Sequence, residues 1–392
     1  MSSAAPPGDV LPHHDAALDG LRALAVALVV LTHAAFLTGA VLSAGLLGRL
    51  FGRGDFGVAI FFALSGYLLH RGFLRTPASR GDIRGYYLRR AARVLPAYWV
   101  TLAVVALCAQ PSGRDLVLHA LAVQIYAPGS HLPAFSQSWS IATELSFYLV
   151  LPLAAAGLQR LRRRRLDLPL TVVAWALPVA VLISGLVPGA DLDRDIPMER
   201  WLPARSACFL IGMLLAEARA RPTHPLARRL RGLTEEPTVL LLLGGAAYLL
   251  ATTPLAGLLT LGTVSGWQLA TKMLLACVVA FAVLAPLVLA EPGGYARALA
   301  RPVMSWLGRI SYGIFLWHVP VFMALYAVSG VRPFTGGLAP LLALGVPLTL
   351  ALAALSHSWV ELPVMRWAAR RSRRRPSRAA PSTPASRRPQ ER

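Results

Sequence analysis

Arg22 and His33 stand eleven residues apart in the first apolar run of the chain, LDGLRALAVALVVLTHA. At about 100° per residue this is close to three helical turns, so both side chains share one face, at heights roughly 16 Å apart. Ionisable groups inside a membrane helix are costly and mark functional sites by default. A desolvated imidazole stays neutral, which suits a general base acting on a hydroxyl nucleophile. Taken alone, His33 reads equally well as a packed residue bonded to a neighbouring carbonyl.

Three further segments carry residues able to do chemistry. In YYLRRAARVLPAYW, Arg90 and Arg93 are three apart and therefore neighbours on a helix surface. Two guanidinium forks there could hold phosphates bidentately, though ordinary basic residues at the inner membrane face look the same. In SWSIATELSFYLVLPL, Glu144 follows Trp139 by five residues. It is expected at the depth of His33, where it would orient the imidazole as the acid of a catalytic triad does. A pairing with Arg205 or with a hydroxyl is the structural alternative. In GRISYGIFLWHVPV, His318 falls near mid-membrane. It is expected as a second base or, together with Trp139, as part of the acceptor-binding surface.

Other groups carry less. Glu361, in SHSWVELPVMRW, is expected to pair with a basic residue such as Arg366. His14 and Asp19 have the HxxxxD spacing of glycerolipid acyltransferases but lie in a polar leader without its context. Cys108, Cys208 and Cys277 are scattered through apolar surroundings with no metal-ligand spacing, so no metal is expected.

What must position these residues is a set of membrane helices. The 392 residues are 56% hydrophobic and 15% charged, with a mean hydropathy of +0.56. Soluble domains carry about a quarter charged residues, so the fold class is an all-α polytopic membrane protein. Ten spans are expected, near 18–39, 56–71, 94–110, 139–158, 168–187, 202–218, 237–254, 269–290, 304–328 and 339–361. The alternate segments that would be cytosolic hold 29 arginines, and the outer loops hold six: Arg49, Arg53, Arg114, Arg194, Arg200 and Arg332. That asymmetry puts both termini in the cytosol and explains the net charge of +21 without nucleic acid. Residues 1–17 read as a polar leader, 18–366 as the membrane domain and 367–392 as a basic, disordered cytosolic tail. Segment 111–138 is expected to form an outer lid or a short interfacial helix.

Together these segments resemble the acyltransferase 3 family of integral membrane acyltransferases. LDGLRALAVALVVLTHA, IFFALSGYLL, RRAARVLPAYW, SWSIATELSFYLVLPL, GRISYGIFLWHVPV and WVELPVMRW run in family order from residue 18 to residue 367. The resemblance implies transfer of an acyl group from cytosolic acyl-coenzyme A, as co-substrate, to a hydroxyl, usually on a carbohydrate. It assigns the family's first-span arginine and histidine to Arg22 and His33, its RxxR to Arg90 and Arg93, and its buried acid to Glu144. The catalytic set is thus expected to be His33, Glu144 and Arg22, with coenzyme phosphates on Arg90 and Arg93. One departure stands out: where the family often reads E-E-Q-F-Y, this chain has Glu144, Leu145 and Ser146 before Phe147 and Tyr148. The second acid and the amide are missing. The chain is also expected to work without the extracytoplasmic hydrolase-like domain that some members append. The acceptor would be a cell-envelope glycan or a macrolide-type sugar, and the location the cytoplasmic membrane. A transporter or flippase would use the same intramembrane charges as a substrate path and is the alternative.

Overall fold

The computed structural model describes residues 15–74, 80–165, 167–187, 196–257 and 264–373. Among them every regular element is a helix. Ten form the bundle: α1 (Ala16–Leu37), α2 (Phe56–Leu74), α3 (Arg80–Ala109), α4 (Trp139–Arg164), α5 (Leu168–Leu186), α6 (Leu202–Ala220), α7 (Pro237–Ala251), α8 (Gly266–Leu289), α9 (Ser311–Ser329) and α10 (Leu338–Ser356). Nine described stretches are long and apolar enough to cross a bilayer by themselves. The helix α7, only 15 residues long, passes that test only when joined to Pro225–Gly232 across an 84° bend, the geometry of a broken span or a re-entrant loop. Pro96, Pro152, Pro178, Pro286, Pro320 and Pro347 all lie inside helices. Membrane helices tolerate this because neighbouring helices re-satisfy the freed backbone groups.

Close backbone approaches set the position of α1. It begins on an Asp15 cap, whose side chain accepts from the Leu18 amide. A Cβ at Gly20 would collide with the Leu299 carbonyl, and one at Gly57 of α2 with the Ala25 carbonyl of α1. Only glycine permits these contacts. Phe209 of α6 stacks between Phe62 of α2 (4.4 Å) and Phe147 of α4 (4.1 Å), tying three helices together. Leu107, Leu153, Trp175 and Leu186 point outward and stay exposed, as a lipid-facing rim should.

Several sequence expectations change. The span near 304–328 is two helices, Pro302–Arg309 and α9, broken at Ile310. The tail does not begin as disordered chain: a π-helical turn, His357–Glu361, leads into the helix Leu362–Arg373. Residues 374–392, and 1–14 of the leader with His14, lie outside the described residues, while Asp15 to Ala17 already open α1. Arg53 is no loop arginine. It is buried, and its guanidinium donates to the Gly257 carbonyl at 3.1 Å. Segment 111–138 does contain a short helix, Gly113–Ala120, followed by the 3₁₀ turns Gln124–Tyr126 and Pro133–Ser138.

Candidate active site

α1 and α9 run parallel, and they bring His33 and His318 together. His33 Nδ1 lies 2.8 Å from the Val29 carbonyl and 3.2 Å from His318 Nε2. His318 Nδ1 lies 3.1 Å from the Ile314 carbonyl. A carbonyl can only accept, so each Nδ1 must carry a hydrogen. His318 Nε2 is then the acceptor that shares the His33 N–H with Val29. His33 Nε2 is left as a bare lone pair with no hydrogen-bond partner among the described residues, on a half-buried ring. That is the atom a general base needs. The two rings meet edge to face, with centroids 4.8 Å apart.

His318 is therefore not free to line an acceptor surface. It is fully buried, flanked by Phe315 and Phe322, and its ring nitrogens serve Ile314 and His33. Its place is that of a positioning partner for His33. Trp139 stays half-buried, edge-on to Phe62, with Arg205 at 5.1 Å and Arg200 at 6.0 Å from its ring centre.

The expected contact between Glu144 and His33 is not formed. Glu144 Oε1 accepts from the Ser65 hydroxyl at 2.5 Å and from the Tyr148 hydroxyl at 2.7 Å. The hydroxyl pairing, not Arg205, is what the structure holds; Arg205 donates to the Glu199 carbonyl instead. Depth explains the difference. α1 and α2 are antiparallel and touch at Gly57 against Ala25 and Val29. Ser65, eight residues on, lies about 12 Å toward the cytosol from that contact, whereas His33 lies outward of it. Glu144 belongs to the level of Arg22.

At that lower level the basic residues gather. Arg22 is paired to Asp19, the residue of the discounted HxxxxD spacing. The charges of Arg93 and Arg90 both bear on Arg22, and that of Arg93 on Arg90. Arg90 Nε is buried without a hydrogen-bond partner among the described residues. The Tyr86 hydroxyl donates to the Tyr148 carbonyl at 3.2 Å, and that of Tyr312 to the Val94 carbonyl at 2.8 Å, locking α3 against α4 and α9. Arg22, Arg90, Arg93 and Glu144 thus form one inner constellation, and His33 with His318 a separate outer one. Glu361 joins neither through Arg366; it is held by His357 at 3.2 Å within the π turn.

Sequence reasoning missed a second outer pair. Asp55, just ahead of α2, takes Lys272 of α8 at 2.5 Å. Asp55 is the carboxylate whose charge reaches His33. The available signal was Lys272 itself, the one lysine among 39 basic residues. In the outer segment, burial first, and then Arg200, holds His131 below the usual imidazole range. Burial does the same to His119, whose carbonyl accepts from the Tyr98 hydroxyl at 2.7 Å.

A family model described as an acyltransferase domain matches residues 15–357. The chain belongs to this acyltransferase family. Among its relatives, the putative peptidoglycan O-acetyltransferase YrhL of Bacillus subtilis is 28% identical over 377 residues, covering 88% of this chain and 54% of YrhL. The peptidoglycan O-acetyltransferase OatA of Listeria monocytogenes is 25% identical, over 88% of this chain and 55% of its own length. The O-acetyltransferase OatA of Staphylococcus aureus is 25% identical, over 90% and 57%. The chain spans about half the length of the curated relatives it matches. No solved structure matches it. The acyltransferase match takes in both constellations, from Arg22 to His318, and stops at His357, the first residue of the π turn.

Proposed function

We propose that the chain transfers an acetyl or other short acyl group from acyl-coenzyme A to a hydroxyl of a cell-envelope glycan, working in the cytoplasmic membrane. The observation that carries this reading is the open Nε2 of His33, roughly 16 Å above a cluster of three arginines. The coenzyme phosphates rest on Arg90 and Arg93 at the cytosolic mouth. The pantetheine arm rises past Arg22 and presents the thioester beneath His33. The glycan hydroxyl attacks the thioester carbonyl while His33 Nε2 takes its proton. Collapse of the tetrahedral adduct breaks the C–S bond, and the proton passes from His33 to the departing thiolate. His318 holds the His33 ring through the Nδ1–H, and Asp55 stabilises the imidazolium that forms in between.

The names of the relatives favour a peptidoglycan-like acceptor, and a glycosylated small molecule such as a macrolide sugar offers the same hydroxyl chemistry. Replacement of His33 by Ala or Gln tests the reading directly. Protein should still accumulate in membranes, and acetyl transfer from radiolabelled acetyl-coenzyme A should disappear. Transfer that survives in either variant sinks His33 as the base.

A further inference from the structure

A cavity of about 740 Å³ opens at the cytosolic end of the bundle, away from both constellations. The starting end of α1 and the ends of α2, α6 and α8 form its walls, with the helices Pro225–Gly232 and Gly294–Leu299. Arg71, Arg219, Arg231 and Arg297 line it, against only two acids, Asp15 and Glu291. None of these four arginines forms an ion pair among the described residues. Two are held in place by other means: Arg71 stacks 5.4 Å from the Tyr67 ring centre, and Arg219 donates to the Val288 carbonyl. The Arg231 Nε is buried and has no hydrogen-bond partner among the described residues.

Ser65, which bonds Glu144, and Tyr67, which lines the cavity, are two residues apart on α2. They point roughly 160° away from each other, so α2 stands between this cavity and the Arg22, Arg90 and Arg93 cluster. Cations left without counter-charges, one with a buried donor unmet, are an incomplete hydrogen-bonding set. The missing partner must be anionic, must offer several oxygens to guanidinium forks, and must fit a volume typical of small-molecule sites.

We propose that this cavity binds a phosphorylated ligand, through a phosphomonoester or diphosphate, as a second phosphate site on the cytosolic face. Two sources carry that chemistry: a soluble adenosine bisphosphate moiety and the headgroup of an anionic phospholipid. The proposal does not rest on acyl transfer, because binding is read without turnover.

The full chain is reconstituted in phosphatidylcholine nanodiscs. Adenosine 3′,5′-bisphosphate is titrated by calorimetry, and cardiolipin retention is measured by native mass spectrometry. One of the two probes should bind, and which one binds identifies the source. Arg71→Gln with Arg231→Gln should weaken that binding about tenfold or more per arginine, since hydrogen bonds to charged groups are worth more than a factor of ten. Adenosine bisphosphate also matches the coenzyme phosphates placed on Arg90 and Arg93, so the titration is repeated in Arg90→Gln with Arg93→Gln, where the binding that depends on Arg71 and Arg231 should persist within twofold. Should the first pair fail to fold, Arg297→Gln, on an exposed side chain, takes its place with a tenfold loss expected. Binding of neither probe overturns the site. So does binding that is lost only in the Arg90 and Arg93 variant, or binding indifferent to Arg297. Acetyl transfer abolished in His33→Ala with this binding intact would separate the two readings.

Discussion

Glu217 and His33 are both ionisable groups enclosed by helices, and their surroundings differ in one respect. Glu217 is fully buried, and both of its oxygens are engaged: Oε1 by His70 at 2.7 Å and by Arg162, Oε2 by Arg162 and Arg221. His33 has one nitrogen held by a carbonyl and a second imidazole, and the other left open. A saturated buried charge is a fastening; an unsaturated one can form a new bond when substrate arrives. The kind of residue does not separate chemistry from architecture in this bundle. What sets His33 apart from Glu217 is a nitrogen that has bonding capacity left.

The contrast can be broken or sharpened by substitution. His33→Ala should lower acetyl transfer by 10²–10⁴-fold while the protein stays folded, measured as turnover per unit of monodisperse membrane protein. Glu217→Ala should do the reverse. Stripping the acid from three basic partners should cost about 3 kcal/mol of stability, seen as a lowered melting temperature, with turnover per folded molecule unchanged. If Glu217→Ala instead abolished turnover in folded protein, the division drawn above would fail. Arg90→Gln with Arg93→Gln should raise the donor KM by about ten- to a hundredfold and change kcat much less. Glu144→Gln should cost less than tenfold and leave the acid limb of the pH–rate profile in place, because Glu144 serves hydroxyls and not the imidazole. A displaced acid limb would restore the missing link between Glu144 and His33.

The smallest effect concerns pH. Burial holds His119 below the ordinary imidazole value of about 6.5, so the folded chain binds fewer protons there than the unfolded one. Stability should therefore decline as pH falls through about 6.5. His119→Leu should flatten that slope in thermal melts.

Much of the architecture was legible because it is one-dimensional. Apolar runs near twenty residues and a lopsided arginine distribution can be counted along a string. The placement of Glu144 was not, and the reason lies just before α4. Trp139 opens that helix, but it does not mark the membrane surface. The turn Pro133–Ser138 ahead of it already dips into the bundle, with Phe135, Gln137 and Ser138 buried. Gln137 donates to the Leu316 carbonyl at 2.7 Å, two residues short of His318 along α9. Counting five residues from Trp139 therefore started too deep, and Glu144 landed a level below the imidazole. The pairing of His33 with His318 was out of reach for a different cause. Both could be assigned to mid-membrane, but whether two rings at one depth face each other depends on helix rotation and neighbours. Asp55 and Lys272 escaped notice because each lies alone in its own segment.

The collisions that any side chain at Gly20 or Gly57 would meet have a consequence beyond packing. They deny α1 room to slide or turn, so the interval between Arg22 and His33 works as a ruler. Under the proposed function, donors would be sorted by tether length before their reactivity counts, and an activated acetyl group on a short handle would fall below the mark.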